Sequence, residues 1–140
     1  MDLTDNEIIQ VNISGYDKPG LTTTLTDILA RHDAFILDIG QANIHQSLTL
    51  GILFSTEKDK SGFIMKDLLF KASELGVQIG FKAIAPKDYE QWVARQGKNR
   101  YIVTLLGRSI TARQISDVTS VIFKHGLNID AIKRLSGRIP

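Results

Sequence analysis

Residues 8–21 read Ile8-Ile9-Gln10-Val11-Asn12-Ile13-Ser14-Gly15-Tyr16-Asp17-Lys18-Pro19-Gly20-Leu21. Ile9, Val11 and Ile13 alternate with Gln10 and Asn12, the period of a strand with one buried face, so 8–14 is expected as a strand. The chain then turns between Gly15 and Gly20, where the glycines relieve backbone restriction and Pro19 sets its own φ. From Leu21 the period changes. Leu21, Leu25, Ile28 and Leu29 form one stripe of a helix expected over 21–32, while Thr24, Asp27 and Arg31 face water. Arg31 and His32 fall in the last turn, where positive charge suits the helix dipole.

The pattern continues in the same alternation. Residues 34–44 and 47–55 are expected as the second and third strands, joined by a tight antiparallel connection at His45-Gln46-Ser47. In the third strand Leu48, Leu50, Ile52 and Phe54 share one face, and Thr49, Gly51, Leu53 and Ser55 share the other. The charged stretch 57–62 is a solvated loop. Residues 63–75 form a second long helix, with Ile64, Leu68, Ala72 and Leu75 on one side and Met65 and Leu69 extending that face. Gly76 supplies its stop. Val77, Ile79, Phe81 and Ala83 alternate as a fourth strand. The order β-α-β-β-α-β with single-striped helices predicts a four-stranded antiparallel sheet with both helices on one face, a ferredoxin-like α+β fold.

Beyond residue 85 the signals are shorter. Pro86 suits the first position of a helical connector over 86–96, with Gly97 ending it and Tyr89, Trp92 and Val93 giving it a small apolar side. A strand is expected over 101–106, a helix after the capping box Thr111-Ala112-Arg113-Gln114, and a strand over 127–135 past a left-handed stop at Gly126. This tail repeats the start of the chain. Gly107 lies 92 residues after Gly15, and Val118, Val121, Ile122 and His125 lie 93 residues after Leu25, Ile28, Leu29 and His32. The expected division is a first module over 1–85, a helical connector over 86–100 and a partial second module over 101–140. The second module reaches only β-α-β before the sequence stops, so the chain is expected to be part of a longer protein.

Composition bounds the chemistry. The 140 residues are 43% hydrophobic and 23% charged, enough for a real core. A net charge of +2 argues against a broad polyanion-binding surface. The chain has no cysteine, which excludes disulfides, a thiol nucleophile and Cys-ligated metal, and which fits a cytoplasmic setting. The three histidines are scattered and form no metal motif; His32 and His125 hold equivalent last-turn positions that suit capping or packing. An RNA-recognition module can share this element order, but it stacks bases on strand aromatics, and the third strand offers mainly aliphatic side chains. No apolar stretch approaches a membrane span. Neither nucleic acid nor membrane is therefore an expected partner.

The turn Gly15-Tyr16-Asp17-Lys18-Pro19-Gly20-Leu21 between a first strand and a first helix resembles the signature of the ACT domain. The repeat, the Trp92 connector and the segment Gly126-Leu127-Asn128-Ile129-Asp130 resemble, within that family, the tandem ACT region preceding the catalytic domain of bacterial phosphoserine phosphatases. The resemblance implies a ferredoxin-like ACT domain followed by the first βαβ portion of a second. It implies a regulatory or assembly role in serine biosynthesis, homo-oligomers, and an amino-acid ligand with serine as the first candidate. It also implies a missing C-terminal phosphatase domain that uses magnesium. No Asp-x-Asp-x-Thr motif occurs in this chain, so no catalytic residue, metal ligand or cofactor is expected within it. A standalone tandem-ACT amino-acid sensor and a purely structural oligomerisation module are the alternatives.

The expected ligand site is the loop holding Tyr16, Asp17, Gly20 and Leu21. The Asp17 carboxylate suits a ligand ammonium, and backbone N–H groups of Gly20 and Leu21 at a helix start suit its carboxylate. The competing reading makes Asp17 a helix cap and the glycines simple turn formers. In the second module Ser109 and Ile110 stand where Asp, Pro and Gly would strengthen the pattern, so a symmetric second site is not expected. Arg108 and Arg113 are expected to be solvated. The strands over 34–44 and 77–83 are candidate edges for assembly.

Overall fold

The structure, a computed structural model, describes residues 6–96 and 99–135. The chain forms two compact units, one through residue 98 and one from residue 99. The first contains β1 (Asn6–Tyr16), α1 (Leu21–Arg31), β2 (Phe35–Ile44), β3 (Ser47–Glu57), α2 (Ser61–Leu75), β4 (Gln78–Ile84) and α3 (Pro86–Gln96). Its sheet is antiparallel in the order β2-β3-β1-β4. This is the expected ferredoxin-like βαββαβ arrangement, and the two strands proposed as edges are the edges.

One face of the sheet carries the core. Ile9, Val11 and Ile13 of β1 and Leu48, Leu50, Ile52 and Phe54 of β3 are buried against Leu21, Leu25, Ile28 and Leu29 of α1 and Ile64, Leu68 and Ala72 of α2. The period-2 and period-3.6 stripes therefore meet, and both helices cover the same side. Each fully buried Leu, Ile or Phe contributes roughly 1.5–3 kcal/mol, so this interface dominates the unit's stability. The α2 stripe is narrower than the sequence suggested. Met65 packs against the core, but Leu69 is exposed, because the side of α2 beyond Met65 rotates into solvent.

Local signals end the elements as their chemistry requires. Gly76, in the left-handed region at φ 70°, caps α2 and sends its N–H to Ser73 O. Gly15 allows a close approach: a Cβ there would sit 2.8 Å from Val77 Cγ1. His32 ends α1 and its Nε2 lies 2.7 Å from Asp67 Oδ2 on α2, clasping the two helices together.

In the second unit α4 (Ala112–Lys124) is the regular element among the described residues. Its capping box is complete: Thr111 Oγ1 accepts from the Gln114 N–H, and Gln114 Oε1 accepts from the Thr111 N–H. The strands expected over 101–106 and 127–135 are a correction, since neither forms a strand in the structure. The topology of the first unit supplies the reason. There β1 pairs with β3 and β4, and β2 pairs only with β3, so β1 and β2 never touch. By the repeat, 101–106 and 127–135 correspond to β1 and β2. A first βαβ portion thus holds two strand-like segments whose shared neighbour is not among them, and their backbone groups have no ladder to join.

Candidate functional site

The loop between β1 and α1 sits where β1, the β2–β3 hairpin and the end of α2 converge. Tyr16, the last residue of β1, pairs with Ser47 and is exposed. The Asp17 N–H donates to Gln46 O at 2.9 Å, which ties the loop to the hairpin turn. Lys18 Nζ donates to Leu75 O at 2.6 Å, at the α2 C-terminus where a cation is favoured. Gly20 occupies the left-handed region at φ 80°, and α1 starts there with no side-chain cap.

Asp17 does not cap the helix. Its Oδ2 accepts from Asn43 Nδ2 on β2 at 2.6 Å. Asn43 Oδ1 in turn accepts from Gln41 Nε2 at 3.2 Å, and Gln41 Oε1 accepts from the Thr22 hydroxyl at 2.5 Å. A polar chain Thr22–Gln41–Asn43–Asp17 therefore runs from the first turn of α1, along β2, to the loop. Gln41 and Asn43 lie on the helix-facing side of an edge strand, level with Leu50 and Leu48 of β3, where the central strands are apolar. Their signal in the sequence is the i, i+2 spacing of two amides in a strand, which the loop-centred reading passed over.

The four expected site residues are thus adjacent, but their functional groups differ in availability. Tyr16 presents its side chain to solvent, and Asp17 presents a carboxylate held by one amide. Leu21 buries its side chain in the core and sends its N–H to Lys18 O at 3.2 Å, so of the two expected backbone donors Leu21 already serves the loop. The arrangement can offer a carboxylate, two primary amides, a hydroxyl and a helix start to a small zwitterion along the outer border of β2.

The remaining candidates settle into structural surroundings. His125 ends α4 with its Nδ1 2.9 Å from Val121 O, and its repeat partner His32 faces Asp67. Among the described residues no group of three or more His, Asp or Glu side chains is placed to hold a metal ion. The sheet side opposite the helices carries Gln10, Asn12 and Ser14 on β1 and Thr49, Gly51 and Leu53 on β3, as the register and the buried positions require. Of the central strands' residues on that side, the one aromatic is Tyr16, at the very end of β1. The aliphatic residues weighed in the sequence against base stacking belong to the opposite, helix-covered face. Among the described residues no helix is long and apolar enough to cross a membrane.

A four-stranded β2-β3-β1-β4 sheet with both crossover helices on one face and a polar loop at the β1–α1 junction defines a small ferredoxin-like module. The chain belongs to the ACT domain family, which matches residues 7–82 and again residues 100–138. The architecture is therefore tandem. The chain is 30% identical to phosphoserine phosphatase SerB2 of Mycobacterium tuberculosis over 129 residues, covering 91% of this chain and 31% of that protein. It is 28% identical to a phosphoserine phosphatase of Streptomyces coelicolor over 138 residues, covering 95% of this chain and 32% of that protein. It thus spans about a third of the length of these phosphatases. A formyltetrahydrofolate deformylase of Burkholderia mallei shares the fold, with a TM-score of 0.51 at 11% identity over 86% of this chain and 57% of that one.

Proposed function

We propose that these residues form the regulatory and assembly region of a phosphoserine phosphatase, and that the loop and polar chain at Asp17 bind an amino acid, serine first. The observation that carries this reading is the extent of the likeness to two phosphatases. It runs through both ACT matches and nearly the whole of this chain, yet takes up only a third of theirs. Catalysis then belongs to a segment outside these residues that uses magnesium, and this region modulates or organises it. The site chemistry supports a zwitterionic ligand. The Asp17 carboxylate receives an ammonium, the Asn43 and Gln41 amides reorient to share it, and the α1 start faces a carboxylate. The site lies beside edge strand β2, so a second copy pairing along that edge completes it and couples occupancy to assembly.

Two measurements test the reading. The parent protein, purified with all of its domains, is assayed for phosphate release from phosphoserine with magnesium, and then titrated with serine, glycine and alanine by calorimetry. Phosphoserine hydrolysis is expected, together with saturable heat for serine that Asp17→Ala removes without loss of folding. An inactive parent defeats the phosphatase assignment. An active parent that shows no saturable heat for any amino acid defeats the ligand assignment and leaves assembly as the region's role.

A further inference from the structure

The open side of the first unit's sheet holds a feature that its own folding does not require. Pairing registers align Gly40 of β2 with Gly51 of β3, Gly51 with Asn12 of β1, and Asn12 with Gly80 of β4. Three of the four positions in this row across the sheet are glycine. Glycine weakens a strand, and in a strand interior it marks a place where another group approaches the backbone closely. Among the described residues of this unit nothing makes that approach. A Cβ added at Gly40 or Gly80 would meet nothing within 4 Å, and one at Gly51 would lie 3.5 Å from Asn12 Oδ1, an ordinary contact. None of the three has a positive φ. Asn12 apart, the row is a floor of peptide planes without side chains.

The wall beside this floor has a definite chemistry. The neighbouring row on the same side runs Asp38, Leu53, Gln10 and Lys82. Helix α3 adds Asp88, Tyr89 and Trp92, whose two rings lie 5.9 Å apart at a tilt of 31°. Asp38, Leu53, Gln10 and these three α3 residues border an open trough of about 470 Å³, within the size range of small-molecule sites. Among the described residues its lining includes two carboxylates, Asp38 and Asp88, and no Lys, Arg or His; Lys82 ends its row outside the lining. The chain as a whole is net positive, so this local excess of negative charge runs against the average. Carboxylates together with aromatic faces favour a cation, and a floor without side chains favours a flat body lying against it.

We propose that the trough between the glycine row and α3 is a binding site for a small organic cation with a flat apolar body. Asp38 and Asp88 supply the charge, Trp92 and Tyr89 the stacking edge, and Gly40 and Gly51 the clearance. The site lies on the opposite sheet face from the Asp17 loop and is independent of the function proposed above.

Trp92 is the single tryptophan of the chain, so its fluorescence reports this cavity directly. The probes are 2-phenylethylamine, cationic at neutral pH, and 2-phenylethanol, which has the same body without the charge. The 140-residue chain should show a saturable Trp92 response to the amine, with the alcohol and the Asp38→Asn variant each about ten-fold weaker, as loss of a charge-assisted contact implies. Gly51→Val should abolish the response while leaving the melting temperature unchanged or higher, since a β-branched residue suits a strand. Asp17→Ala should leave the response intact, which separates this site from the amino-acid site. The proposal is overturned by equal binding of amine and alcohol, by no saturable response to the amine, or by a Gly51→Val variant of lowered stability. It is also overturned if Gly51→Val reduces the molecular mass in sedimentation, since the trough would then seat a second copy.

Discussion

Gly15 shows how one hydrogen atom decides a packing contact. The residue lies in β1 opposite Leu48, and the close neighbours of its missing Cβ are all Val77 atoms, the Cα among them at 3.3 Å. Val77 follows the α2 cap at Gly76 and leads into β4, so its backbone has little room to retreat. Gly15→Ala should therefore act as overpacking and cost about 1–3 kcal/mol, outweighing the gain from restricting the unfolded chain. Urea denaturation should show a lower midpoint at unchanged slope. A midpoint equal to the parent's would mean that Val77 moves freely and that the close approach is incidental. Asp17 makes the complementary case. Its sequence position, four residues before the helix start, suggested a cap, but its partner Asn43 comes from a strand that only the hairpin brings near. Local spacing cannot foretell a hydrogen bond set by tertiary register.

At the level of elements, the repeat offers an internal control. Leu25 in α1 and Val118 in α4 hold equivalent places in the pattern, yet Leu25 is fully buried and Val118 is half-buried. The stripe was legible in both helices, because amphipathic period is a property of the element alone. Burial depends on whether a sheet stands beneath it, and among the described residues only the first unit has one. Leu25→Ala should cost about 2–5 kcal/mol through a cavity at the helix–sheet interface. Val118→Ala should cost under about 1 kcal/mol, since it loses only part of its transfer energy. Guanidinium titrations of the two variants followed by circular dichroism test this contrast, and equal losses would show that α4 packs in solution as α1 does. The same reasoning explains why strands over 101–106 and 127–135 were expected and not found. Alternation and β-propensity describe what a segment can do, while a ladder needs a neighbour, and the topology puts that neighbour at the β3 position. The glycine row escaped notice for a related reason: Gly40, Gly51 and Gly80 lie far apart in sequence, and only the pairing registers align them.

For the whole molecule these differences predict an uneven distribution of stability. The first unit concentrates its buried hydrophobic residues on one sheet face, with β1 and β3 paired along their full lengths at the centre. The described residues of the second unit contain no buried hydrophobic side chain, and their helix is 13 residues long. An isolated helix of about that length is marginal in water even with a complete cap. Amide hydrogen exchange of the monomeric 140-residue chain at neutral pH should therefore separate the two. Amides of β1 and β3 should exchange only through global opening, with protection on the order of a thousandfold or more. Those of α4 should exchange through local fraying, with protection of about ten- to a hundredfold, set mainly by the Thr111–Gln114 box. Protection should rise in α4 when a partner covers its apolar stripe, because a covered stripe converts local fraying into cooperative opening. If α4 in the monomer proved as slow as β3, the second unit would already share the core's cooperative unfolding. The contrast between Leu25 and Val118 would then have to be abandoned with it.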